Sequence, residues 1–90
     1  MRITVDDSFE GVPEPADDAA TARLSGALVA LEEAFEAERP DAVVVADDSE
    51  VALAAALVAT KLLIPLEAAA EAMTDSPNGR VLAQLAVPAA

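Results

Sequence analysis

Ninety residues leave room for one domain, and a domain this short buries roughly 60 to 65% of the surface its unfolded chain exposes. Seventeen acidic residues against five basic ones give a formal charge of −12, a surface that repels nucleic acid and anionic lipid. Cys and His are both absent, which removes disulfides, thiolate metal sites and the commonest general base. Solubility, or adaptation to a salty cytoplasm, accounts for the charge without a dedicated cationic ligand. Apolar residues make up 54% of the chain, but nearly half of them are Ala and only Phe9 and Phe35 are aromatic. Burial scales with apolar area, so the core is thin and a second copy or a protein partner is expected to supplement it. The longest apolar run, 51–59, is far shorter than the ~20 residues that span a bilayer, and the apolar run at the N-terminus is too short for a signal peptide. The expectation is a cytoplasmic protein with no membrane contact.

Arg2-Ile3-Thr4-Val5 alternates and is β-branched, which predicts a first strand. Residues 7–15, with Gly11, Pro13, Pro15 and several carboxylates, predict a loop. Asp17 or Asp18 then suits a helix N-cap. Leu24, Leu28, Leu31 and Phe35 form one helical stripe, and Pro40 stops the helix at Glu38 or just beyond. Asp41–Ala46 is apolar after its first residue, the pattern of a strand buried on both faces of a parallel sheet. Asp47 and Glu50 stand at capping-box spacing and open a second helix, apolar almost all round from Val51 to Leu63. Such a helix is either enclosed or docked on another chain, and the size of the domain favours docking. Ile64-Pro65-Leu66 predicts a third strand, while residues 67–73 fit strand or helix. Ser76 and Pro77 suit N-cap and N1, Arg80 to Leu85 reads as a short helix, and Leu85-Ala86-Val87 as a terminal strand. Strand and helix alternating at this spacing imply right-handed crossovers. The fold class is therefore α/β: one domain over residues 1–90, a small parallel sheet of three to four strands with helical crossovers, a Rossmann-like half domain.

Asp6 and Asp7 follow the first strand, and Asp47 and Asp48 follow the second. Parallel neighbours would place all four carboxylates on the carboxyl-end rim, where open α/β sheets bind ligands. Clustered carboxylates suit Mg²⁺, so these four are the candidate metal ligands and Mg²⁺ the one cofactor considered. Caps and solvated loop carboxylates explain the same residues without a metal. Ser8, Ser25, Ser49 and Ser76 have no His to activate them. Lys61, inside the apolar helix, is expected to mark its exposed edge.

Residues 18–88 also resemble part of the non-hydrolysing UDP-N-acetylglucosamine 2-epimerases. The helix ending Glu38-Arg39-Pro40-Asp41 is similar to the one before that family's fourth strand, and "AVVVADDS" resembles its strand and His-Gly-Asp-Thr turn. "ALAAALVATKLLIP" is similar to its Ala-rich helix and Ile-Pro, Glu71-Ala72 to its Glu-Ala-Gly, and "SPNGRVLAQLAVPA" to a later helix and strand. The resemblance implies a parallel doubly wound sheet. It also implies that Asp48 stands at the family's catalytic Asp and Glu71 at its Glu, the acid–base pair should activity persist. Ala46 replaces the family's His and Asp47 its Gly. The N-terminal Gly-Thr-Arg-Pro-Glu segment and the second domain that grips UDP have no counterpart.

The expected function is therefore that of a non-catalytic α/β domain, acting through self-association or partner binding. An acidic Mg²⁺-dependent ligand site and a residual epimerase half-site are the alternatives.

Overall fold

A computed structural model describes residues 1–16 and 19–89. The chain runs β1 (Arg2–Val5), α1 (Ala20–Glu38), β2 (Ala42–Val45), α2 (Glu50–Lys61), β3 (Leu66–Ala68), a 3₁₀ turn (Ala70–Ala72), α3 (Pro77–Leu85) and β4 (Val87–Pro88). The four strands form one sheet in the order β1-β2-β3-β4, and every neighbouring pair is parallel. Ile3, Val43 and Leu66 lie in one cross-strand row, and Val5, Val45 and Ala68 in another.

Successive strands add in one direction, so right-handed crossovers put all three helices on the same face. Burial follows that geometry. Ile3, Val5, Val43, Val45, Leu66 and Ala68 pack into the core with the helices, and Leu31, Phe35 and Leu82 are the largest fully buried helical side chains. The alternate residues, among them Arg2, Thr4, Val44, Glu67 and Val87, point to the other face, which carries no helix among the described residues. The sheet is thus covered on one side only.

The α1 stripe packs as its spacing implies: Leu31 and Phe35 are buried, and Leu24 and Leu28 are half-buried against the core. The expected caps at Asp17 and Asp18 lie outside the described residues. At the far end Arg39 adopts a left-handed conformation (φ 48°) and donates its N–H to the Phe35 carbonyl at 2.9 Å, and Pro40 follows.

Three expectations shift. The N-cap of α2 is Ser49, not Asp47: Ser49 Oγ accepts the Ala52 N–H at 3.1 Å. Strand β3 begins at Leu66 rather than Ile64, because α2 unwinds through Leu63 in a left-handed conformation (φ 60°) and Pro65 has no N–H for a ladder. Residues 67–73 are both of the alternatives in turn, the end of β3 and then a single 3₁₀ turn.

The larger correction concerns α2. Val51, Ala52, Ala54, Ala55, Ala56, Val58 and Ala59 are all buried within this one chain. A helix whose buried residues are mostly Ala is slender, so α1, α3 and the sheet close around it without a second molecule. Docking of α2 on another chain is not needed to explain its composition.

Candidate functional site

The carboxyl ends of the strands form the rim that the sequence places the acidic pairs on, and the two pairs do share it. Val5 lies opposite Val45 in register, and just beyond them the Asp7 N–H donates to Asp47 Oδ2 at 3.0 Å. The four carboxylates, however, are turned to different donors. Asp6 Oδ1 accepts the Ser8 N–H (2.8 Å) and hydroxyl (2.6 Å), the local turn that Asp favours after a strand. Asp47 Oδ1 does the same for Ser49, at 3.1 Å and 2.6 Å. Asp7 Oδ1 pairs with Arg23 Nη2 at 3.0 Å, and Arg23 Nη1 reaches Glu14 at 3.1 Å, which ties the loop after β1 to α1. Among the described residues no group of three or more such side chains stands close enough together to hold a metal ion.

Asp48 has the most elaborate role. Its Oδ2 accepts hydroxyl hydrogen bonds from Thr74 and Ser76, both at 2.7 Å, and its carbonyl accepts from Asn78 Nδ2 at 3.1 Å. Asn78 also donates to Glu50 Oε1 at 2.9 Å. Ser76 is the N-cap of α3 and accepts the Gly79 N–H at 3.0 Å. Asp48 therefore fastens the start of α3 to the end of β2. The Ser76 hydroxyl, followed by that of Thr74, holds the Asp48 carboxyl below the usual carboxylate range, and the Ser8 hydroxyl does the same for Asp6. Glu71 sits exposed on the 3₁₀ turn and is not among the partners of Asp48. The sequence places the two acidic pairs on one rim, as the structure does, but gives no sign of Thr74, Ser76 and Asn78, which reach Asp48 from more than 25 residues away. Ser76 was legible as a cap, but nothing in the chain order ties a cap to a particular carboxylate.

No family model matches the sequence, and no curated protein matches it. Solved structures do. The UDP-GlcNAc 2-epimerase of Neisseria meningitidis, bound to UDP-GlcNAc, superposes on 81% of this chain with a TM-score of 0.72 at 20% identity. The Methanocaldococcus jannaschii UDP-GlcNAc 2-epimerase, in complex with UDP-GlcNAc and UDP, covers 82% of it with a TM-score of 0.71 at 24% identity. The chain has the fold of one segment of a UDP-GlcNAc 2-epimerase. It spans only 22% and 24% of those two proteins, so the likeness to the epimerases is that of a part to a whole. Within the epimerase-like segment Ala46, Asp47 and Asp48 form the turn between β2 and α2, where the resemblance puts the family's His-Gly-Asp. No helix among the described residues is long and apolar enough to cross a membrane.

Proposed function

We propose that this chain is a non-catalytic α/β module with the fold of an epimerase segment, and that it works by associating with protein through the uncovered side of its sheet. One observation carries the reading: among the described residues, four parallel strands bear helices on a single face. Parallel sheets occur almost only where both faces are covered, so a half-covered one is incomplete. The rim supports the absence of catalysis. Its carboxylates are engaged in turns and caps, there is no His or Cys, and Asp48 is shifted away from the near-neutral range that suits a general acid or base. The −12 charge fits a cytoplasmic setting without nucleic acid or membrane as partners.

Two measurements test this. Incubated with UDP-GlcNAc in deuterated water, the chain is expected to leave the C2 hydrogen of the sugar unexchanged, and titration with Mg²⁺ to give no heat. Sedimentation velocity over a wide concentration range is expected to show association. Exchange at C2, or a strict monomer throughout, contradicts the reading.

A further inference from the structure

The three helices are anchored unequally. α1 buries Ala27, Leu31 and Phe35, and α2 buries seven residues, whereas of the nine residues of α3 Gly79 and Leu82 are buried. α3 packs on α2 and β3, and Leu82 is the one large apolar side chain it commits to the core. Val81 and Leu85 on the same helix stay 41% and 36% exposed.

What else holds α3 is polar. Thr74 Oγ1 and Ser76 Oγ donate to Asp48 Oδ2, both at 2.7 Å. Asn78 Nδ2 donates to the Asp48 carbonyl at 3.1 Å and to Glu50 Oε1 at 2.9 Å. All four bonds run from residues 74–78 to the turn after β2 and the first residue of α2. They lie at the surface or half-buried, where water replaces either partner at small net cost. The turn and the helix move as one body. Gly79 lies so close to Thr74 that no Cβ would fit between them, and the Gly79 N–H donates to Ser76 Oγ at 3.0 Å.

We infer that residues 74–86 are a latched cover, which unfolds as one unit while the sheet, α1 and α2 stay folded, and that the clasp on Asp48 is its latch. Segments with few buried apolar contacts and many exposed hydrogen bonds open well before the rest of a fold does. A helix rises about 1.5 Å per residue and an extended chain more than 3 Å, so melting α3 gives the chain slack and β4 keeps its place. The open form bares the flank of α2 and β3 beneath Leu82. Because the latch sits on the carboxyl-end rim, a group that takes the Asp48 carboxylate competes with Ser76 and Thr74 and releases the cover. This opening does not depend on the association proposed above.

Native-state amide exchange of the whole chain, at low protein concentration and in rising sub-denaturing urea, separates local opening from global unfolding. With reclosing faster than exchange, amides 80–86 are expected to exchange as one group, at least about tenfold faster than amides 54–61 of α2. Their urea dependence should be smaller, since less surface is exposed. Phe35→Leu weakens the fold from α1, so it should speed exchange in α2 and leave 80–86 unchanged. Asn78→Ala cuts two of the four clasp bonds without touching the Ser76 cap. It should speed 80–86 at least about threefold, the better helix propensity of Ala offsetting part of the loss. Equal rates and urea dependence in α2 and α3, acceleration of 80–86 by Phe35→Leu, or no acceleration by Asn78→Ala overturns the latched cover. Should Phe35→Leu fail to fold, the comparison of α2 with α3 in the wild type decides.

Discussion

Arg2 on β1 and Glu67 on β3 meet over the intervening strand, Nη2 to Oε1 at 2.6 Å. The pair lies on the face without helices, beside Val44, which is only 9% exposed on that side of the sheet. Two long side chains thus shelter part of what a helix layer shelters opposite. Half the Arg2 side chain remains in solvent, so the pair is worth little as an ion pair. A double-mutant cycle with Arg2→Met and Glu67→Met, read by urea unfolding, is expected to give a coupling under about 1 kcal/mol that shrinks with salt. A coupling of several kcal/mol that salt leaves unchanged would contradict this.

Gly79 sits in α3, where Gly→Ala ordinarily stabilises a helix by about 1 kcal/mol. Here the sign reverses. A Cβ at Gly79 would lie 2.3 Å from Thr74 Oγ1 and 2.4 Å from the Thr74 carbonyl, so the turn that Asp48 holds must shift. Gly79→Ala is expected to cost about 1–3 kcal/mol, as overpacking does. A raised melting temperature would show that the turn does not pack so closely against α3.

The Asp48 carboxyl, lowered chiefly by the Ser76 hydroxyl, titrates below its unfolded value. A group with a depressed folded pKa stabilises the fold above the unfolded pKa, and that contribution is lost as pH falls through the folded value. Stability should therefore decline as pH falls through about 4, where unperturbed Asp is half protonated, and on below it. Asp6, lowered chiefly by Ser8, adds to the same acid limb. Thermal melts from neutral to acid pH are expected to show a shallower acid limb for Asp48→Asn than for wild type. An identical pH profile would mean that Ser76 and Thr74 do not hold the charged form.

Much of this fold was legible because its signals are local and periodic. The β-branched alternation of 2–5, the four-residue stripe ending at Phe35 and the valines of β2 each predicted the element that forms. Parallel pairing followed from Val43–Val45 being apolar on both faces, and it put the acidic pairs on one rim. The start of α2 was misplaced for a chemical reason. Asp47 and Ser49 both suit an N-cap, but the Asp47 carboxylate accepts the Asp7 N–H from 40 residues away and the Ser49 N–H and hydroxyl locally, while the Ser49 hydroxyl takes the Ala52 N–H. The enclosure of α2 was misjudged because hydrophobicity says nothing about width, and an Ala-rich helix fits where a Leu-rich one would not. Residues 66–72 hold three residues of strand and three of turn, too few of either to show a period. The partners of Asp48 were out of reach because they lie 26 and 28 residues away, joined by the fold alone.

The central claim is that the chain acts through the unfinished side of its sheet, and residue-resolved amide hydrogen exchange at low and high protein concentration tests it most directly. Slowed exchange across β1–β4 on concentration, with the outer faces of α1 and α2 unchanged, is the predicted result. Protection gained only on those helices, or at no residue, would contradict it.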